Sequence, residues 1–176
     1  MKQLFLFSFL LVALNVFSQD DKSKRPSPPA LAKETINTGT DVSIDYSQPS
    51  VKGRTIGKDL EPMPGKVWRT GANEATVFEV SKDVKINGQP LAAGKYGLFT
   101  IMSADDNEWT IIFNKTWDQW GAFNYKSSDD VLRVKVTATK AAQFSEKMTF
   151  IIGKDGLVTL LSVSYTHLTL PTTPYV

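Results

Sequence analysis

Polar side chains are densest in one stretch of the chain, GKVWRTGANEAT, which covers residues 65–76. Its charged, amide and indole side chains are Lys66, Trp68, Arg69, Asn73 and Glu74. Loops carried by a rigid scaffold often hold the binding groups of a protein, so this stretch is the first candidate for a functional site. The guanidinium of Arg69 has the geometry to hold a carboxylate or a phosphate through a forked pair of hydrogen bonds.

Two interpretations of this stretch are open. In the structural one, which we favour, Arg69, Asn73 and Glu74 form a network that pins a long loop. Glu74 is the nearest acid beyond the glycine turn, and a buried arginine needs such a partner because it keeps its charge. In the functional one, the same side chains converge on a ligand.

A second candidate is the aromatic stretch NKTWDQWGAFNY at residues 114–125, in which Trp120 is the residue assigned to binding. Exposed aromatic rings with amides nearby can stack on sugars, whereas aromatic residues at a strand end more often fill the end of a sandwich. The acidic residues 104–108 and 127–130 lack the spacing of a calcium-binding loop and are interpreted as solvated turns.

The residue types that are missing exclude whole classes of chemistry. The chain has no cysteine, and its one histidine, His167, lies in the last thirteen residues, whose sequence is expected to be non-native. Thiol nucleophiles, thiolate or histidine metal sites and Ser-His-Asp catalysis are therefore not expected. No catalytic residue, metal or cofactor is assigned. The net charge of +2 and the absence of a basic run argue against a nucleic-acid partner.

Short alternating segments dominate the centre of the chain. VSIDYS and VLRVKVT have apolar residues at every second position, while KYGLFTIM and WTIIFN are apolar on both faces, as central strands are. Asn87-Gly88 and Asp155-Gly156 are hairpin-turn signals. The pattern predicts an all-β fold over residues 31–163, an antiparallel β-sandwich that is jelly-roll-like or a partly closed barrel, with little helix.

The same motifs resemble a known family. IDYSQPSVKGRTIG, GKVWRTGANEAT, NGQPLAAGKYGLFTI, WTIIFNK, QWGAFNY and DVLRVKV occur in the order typical of DUF2911, whose members are secreted proteins common in Bacteroidetes. The resemblance covers about Pro28 to Ile152. It implies a β-rich periplasmic or secreted domain, and it carries no assigned function or catalytic residue.

The two ends of the chain have their own patterns. Residues 1–18 read as a signal peptide cleaved after Ser18, which leaves no transmembrane anchor and indicates a periplasmic or secreted protein. Residues 19–30, rich in proline, serine and lysine, are expected to be a flexible tether. Residues 164–176, SYTHLTLPTTPYV, are similar to translated sequencing-adapter sequence and are expected to be non-native and to add little to the core.

These observations favour a non-catalytic binding or envelope-associated domain, with a small polar ligand or a glycan as its partner. The alternative is a carboxylate-dependent hydrolase or lyase acting on a sugar or another small polar substrate. In that case Glu74 would be the base and Arg69 would stabilise charge, and a second carboxylate would have to face the same pocket. The oligomeric state stays open.

Overall fold

The computed structural model describes residues 21–139, 143–162 and 166–174. The strands in chain order are β1 (Pro29–Thr35), β2 (Asp41–Ser47), β3 (Ala72–Val80), β4 (Val84–Ile86), β5 (Gln89–Leu91), β6 (Gly94–Met102), β7 (Glu108–Asn114), β8 (Asp130–Thr137), β9 (Thr149–Ile152), β10 (Leu157–Ser162) and β11 (Thr166–Pro174). The described helical structure consists of two 3₁₀ turns, Lys22–Lys24 and Ser127–Asp129.

The strands form two sheets that face each other. One sheet has six strands in the order β1-β2-β3-β6-β7-β8, and the other has five in the order β5-β4-β11-β10-β9. Their paired strands run antiparallel. The predicted all-β antiparallel sandwich is confirmed, and the described strands do not close into a barrel.

Apolar side chains from the inner faces of both sheets form the main core. The alternation of β2 is confirmed, since Val42, Ile44 and Tyr46 all point inward and are buried. The Tyr46 ring meets Phe150 of the opposite sheet edge-on at a centroid distance of 5.0 Å, and its hydroxyl accepts the Phe150 N–H at 3.3 Å. Edge-to-face aromatic pairs of this kind stabilise beyond the area they bury, so they help to lock one sheet onto the other.

The outer face of the six-stranded sheet is also partly covered. Phe99 of β6 and Ile112 of β7 lie in a second buried cluster, on the side of the sheet away from the main core. Tyr125, from the segment that joins β7 to β8, packs edge-on against Phe99 at 5.1 Å. The prediction that these two strands are central and covered on both faces is therefore confirmed.

Two of the predicted turns have the backbone geometry that their sequences favour. Asn87 and Gly88 have φ angles of 49° and 80° between β4 and β5, the left-handed pair that a two-residue hairpin needs. Gly156, with φ 84°, turns the chain from β9 into β10. Both hairpins are confirmed, although residues 153–156 separate β9 from β10, so the second connection is longer than the predicted two-residue turn.

The N-terminal segment has partners on the six-stranded sheet. The described part of the predicted tether holds the turn Lys22–Lys24 and the first residues of β1. The carbonyl of Pro28 accepts the Gln48 N–H at 2.9 Å. The predicted signal peptide lies outside the described residues and stays a prediction. In the parts that the structure describes, no helix has the length and hydropathy needed to cross a membrane.

The C-terminal segment contains a strand in its described part, residues 166–174. Its backbone forms β11, which pairs with β10 on one side and with β4 on the other, at the centre of the five-stranded sheet. Thr172 of this strand is buried. Backbone pairing needs no hydrophobic period when neighbouring strands supply hydrogen-bond partners on both edges. That the segment is non-native stays a prediction.

Candidate functional site

The segment before β3 is fixed to the sheet by Trp68. Its backbone exchanges two hydrogen bonds with Thr100 of β6, at 2.8 and 2.9 Å, and so forms a one-residue bridge. The indole is buried, and its Nε1 donates to the carbonyl of Gly71 at 3.1 Å. Trp68 therefore acts as an anchor that sets the position of the next residue, Arg69.

The backbone after Arg69 adopts an unusual conformation. Thr70 and Asn73 have φ angles of 55° and 56°, a left-handed region that is rare for a β-branched residue such as threonine. Thr70 is held there because its carbonyl accepts the Thr76 hydroxyl at 2.9 Å and its hydroxyl bonds that of Thr100 at 3.2 Å. Strain maintained in this way is most often found at ligand and catalytic sites.

Arg69 lies in an open cleft of about 430 Å³, within the size range of small-molecule sites. Its Nε is buried and has no hydrogen-bond partner in the described residues. Burial lowers the pKa of the guanidinium, and the charge of Glu61 opposes that shift. A half-buried cation without a protein acceptor is costly, so the group is available to a ligand.

Most of the remaining lining comes from an earlier part of the same irregular segment between β2 and β3, residues 54–63, which forms the opposite wall to Arg69. It contributes Arg54, Asp59, Leu60, Glu61 and Met63. Its charged groups are held by their own segment: Arg54 donates to the carbonyls of Ser50 and Val51, Asp59 accepts the Thr55 N–H, and Glu61 accepts the Met63 N–H. Within the described chain, one oxygen of Asp59 and one of Glu61 stay without a hydrogen bond.

Arg69 and Glu74 do not pair, so the predicted Arg69–Glu74 network is wrong. Both oxygens of Glu74 accept from Arg25, at 3.0 and 3.2 Å, and Lys22 adds a contact at 2.9 Å. The amide of Asn73 donates to the Ser27 carbonyl at 2.9 Å. The left-handed residues between Arg69 and Glu74 turn the backbone, so the two side chains reach different surfaces.

Trp120 lies beside Glu74 and does not line the Arg69 cleft. Its backbone forms a bridge with Glu74, and the neighbouring Gly121 N–H donates to the Asn73 carbonyl at 2.9 Å. The indole is 53% exposed, and the guanidinium carbon of Arg25 lies 5.8 Å from its ring centroid. Trp120 therefore does not fill an end of the sandwich. It lies on the surface with a cation against its ring.

A groove of about 280 Å³ runs beside these groups on the outer face of the sheet. Lys22, Asp45 and Glu74 contribute to its lining. A second carboxylate thus shares a groove with Glu74, as the hydrolase alternative requires. Glu74 already forms ion pairs with Lys22 and Arg25 there, and these contacts affect its ability to act as a base.

A family model with the description "Protein of unknown function (DUF2911)" matches residues 27–167. The chain belongs to the DUF2911 family. No curated protein and no solved structure matches it. The whole Arg69 cleft lies inside the matched region of this DUF2911 chain, whereas Lys22 and Arg25 precede it.

The structure places five of the six predicted binding residues at two separate positions and the sixth, Lys66, at neither. Trp68 and Arg69 line the cleft. Asn73, Glu74 and Trp120 contact the N-terminal segment at Ser27 and Arg25. Lys66 is exposed and lines neither the cleft nor the groove.

The sequence analysis missed the opposite wall of the cleft. Arg54, Asp59 and Glu61 lie in a stretch, GRTIGKDLEP, without a helical or strand period. The one feature of this stretch that could have indicated a site is its high density of acidic and basic residues beside proline and glycine. Such a stretch is typical of a solvated loop, so the pattern alone did not indicate a site.

Glu74 gives this DUF2911 domain a pH-dependent contact. Burial alone would raise the pKa of Glu74, but hydrogen bonds from Lys22, from its own backbone and from Arg25 outweigh that effect and lower it from 4.5 to about 2. The folded-state pKa is thus below the unfolded one. The stabilisation is complete above the unfolded value and is lost as pH falls through 4.5 towards 2.

Glu74→Gln is expected to lower the free energy of unfolding by about 1 kcal/mol at pH 7, a figure discounted because the carboxylate is partly exposed. Urea unfolding of both proteins at pH 7, 4.5 and 2.5 measures the effect. The difference between them should shrink steadily towards the lowest pH. Glu79→Gln, which removes an exposed pair with Lys95 on the same sheet, is the matched control. A Glu74 difference that does not change with pH would contradict this account.

Proposed function

We propose that this DUF2911 protein is a secreted or periplasmic, non-catalytic binding domain that holds a small anionic ligand on Arg69. One observation carries the proposal: the Arg69 guanidinium lies in a cleft of about 430 Å³ and its buried Nε has no protein acceptor in the described chain. A carboxylate or phosphate would supply the missing acceptor through a forked pair of hydrogen bonds. The ligand would then complete a hydrogen-bond network that the protein leaves open.

The surroundings of Arg69 support a preorganised site. The bridge at Trp68 and the strained backbone at Thr70 fix the base of the side chain on the sheet. Leu60 and Met63 add apolar surface to the opposite wall. A rigid base with mixed polar and apolar lining is the usual composition of a small-molecule site.

Binding is favoured over catalysis because of the state of Glu74. A pKa of about 2 keeps this carboxylate ionised at neutral pH and makes it a weak general base. Its oxygens are engaged by Arg25 and Lys22. The hydrolase or lyase alternative would need both cations to move away before Glu74 acted.

The cleft is also a better candidate than the aromatic surface. Lys95 lies 5.6 Å from the ring centroid of Trp117, and Arg25 lies over Trp120 at 5.8 Å. A sugar stacked on either ring would have to displace a cation or use the opposite face. The Arg69 guanidinium needs no such displacement.

Arg69→Met is expected to weaken ligand binding strongly at little cost in stability. Calorimetric titration with acetate, 4-methylpentanoate, succinate and inorganic phosphate measures binding, and thermal melting measures stability. The variant should bind at least about tenfold more weakly, because hydrogen bonds to a charged group contribute about 1.5–3 kcal/mol. Its melting temperature should be unchanged or higher, since an unsatisfied buried group is removed.

Lys66→Met is the matched control, because it removes a cation from the same loop but outside the cleft. It should bind as the unchanged protein does. The proposal fails if the unchanged protein binds none of these anions, or if Arg69→Met binds them equally well. A loss of several kcal/mol in Arg69→Met would instead show a structural role for this arginine.

A further inference from the structure

We propose that the Arg69 cleft selects a zwitterion of the α-amino acid type, with the ligand carboxylate on Arg69 and its ammonium group on Glu61. The inference rests on the proposed function and names the ligand class of the same site. It is carried by the opposite charges of Arg69 and Glu61, which line the same cleft and do not pair with each other.

The first step is the gap between Arg69 and Glu61. Both side chains line the cleft, and the two are close enough for the charge of Glu61 to raise the pKa of Arg69. In the described chain, however, no carboxylate lies within the 4.0 Å of Arg69 that defines an ion pair. Two opposite charges that face one cavity but do not touch can be bridged by one small ligand that carries both complementary charges.

The second step is the balance of charge around the cleft. Among the residues that the structure describes, the charged groups in its lining are Arg54, Asp59, Glu61 and Arg69. Two are cations and two are anions, so a simple anion drawn to Arg69 also meets the repulsion of two carboxylates. A zwitterion satisfies both signs, and complementary charge of this kind sets specificity by penalising the wrong ligand.

The third step is the free hydrogen-bonding capacity of Glu61. One of its oxygens accepts the Met63 N–H at 2.9 Å, which fixes the direction of the carboxylate. The other oxygen has no partner among the described residues and can accept from an ammonium group. An N–H donor on the ligand therefore finds an acceptor that is already oriented.

The apolar part of the lining indicates the side chain of the ligand. Leu60 and Met63 are half-buried and line the same cleft as the charged groups. An aliphatic side chain would bury its surface against them, which is worth about 25 cal/mol for each Å² removed from water. L-Leucine is therefore the first probe.

Three matched ligands separate the two charges of the probe. L-Leucine carries both charged groups, 4-methylpentanoate lacks the ammonium group, and L-leucinamide lacks the carboxylate. Calorimetric titration of the full chain should show leucine binding at least about tenfold more tightly than 4-methylpentanoate. Leucinamide should show no measurable binding, because it offers Arg69 no anion.

Glu61→Gln tests the assigned residue. Its amide oxygen can still accept the Met63 N–H, so the wall should keep its conformation. The variant should bind leucine and 4-methylpentanoate with nearly equal affinity, while Glu79→Gln, on the outer face of the sheet, should keep the tenfold preference.

The outcomes distinguish this inference from the proposed function. Equal binding of leucine and 4-methylpentanoate by the unchanged protein overturns the zwitterion and leaves an anion site on Arg69. A leucine preference that survives Glu61→Gln overturns the role of Glu61. If neither ligand binds, or if Arg69→Met binds both as the unchanged protein does, the inference and the proposed function fail together.

Discussion

Asn114→Ala is expected to lower the free energy of unfolding by about 3 kcal/mol. Asn114 is the last residue of β7, and it is fully buried. Its amide nitrogen donates to the Lys126 carbonyl at 2.9 Å and to Asp130 at 2.7 Å, and its oxygen accepts the Thr116 N–H at 2.9 Å. Alanine would remove three part-buried hydrogen bonds, at both ends of the segment that covers the outer face of the sheet.

Urea unfolding measures the loss, and indole fluorescence reports on the same segment through Trp117 and Trp120. Asn124→Ala is the matched control, because Asn124 is exposed in the same segment and its side chain forms no hydrogen bond in the described chain. The control should stay within about 0.5 kcal/mol of the unchanged protein. A loss below 1 kcal/mol for Asn114→Ala would show that the segment is held by other contacts.

Truncation after Ser162 is expected to lower the stability by about 5 kcal/mol, which corresponds to more than about 10 °C in melting temperature. β11 pairs with β10 over residues 166–171 and with β4 over residues 172–174. Without it, the five-stranded sheet divides into the hairpins β4–β5 and β9–β10. Isolated two-stranded hairpins are marginally stable in water, so one side of the core would lose its cover.

Differential scanning calorimetry of the truncated and full chains gives the answer. Thr172→Val is the control within the strand: its buried hydroxyl has no partner in the described residues, so its removal should be neutral or slightly stabilising. An unchanged melting temperature after truncation would support the sequence-based expectation instead. The segment would then contribute little, as its resemblance to adapter sequence predicts.

Local patterns predicted most of the fold, because strands and turns are encoded by neighbouring residues. The period of two in β2 and β8 needs one buried face, and the φ angles at Asn87-Gly88 need two residues that tolerate them. None of these signals depends on distant parts of the chain. They were therefore visible in the sequence.

The site was less predictable because its contacts join distant residues. Arg25 and Glu74 are 49 positions apart, and their pairing depends on how the N-terminal segment lies on the sheet. The wall that carries Glu61 has no period that would locate it opposite Arg69. Proximity in sequence suggested Glu74 as the partner of Arg69, and this was wrong. Two residues with left-handed backbone conformation, Thr70 and Asn73, lie between them and direct their side chains to different surfaces.

The strand order of the five-stranded sheet has a consequence for the rate of folding. β4 has β11 as its neighbour, so Ile86 pairs with Thr172 from the far end of the described chain. The hairpins β1–β2, β6–β7 and β7–β8 of the other sheet join consecutive strands and can form early. Non-local pairings slow the folding of β-sandwiches to milliseconds or seconds. We therefore expect the inner face of the six-stranded sheet to stay exposed during folding until β11 has paired. During this interval the chain is most prone to aggregation or to binding by a chaperone.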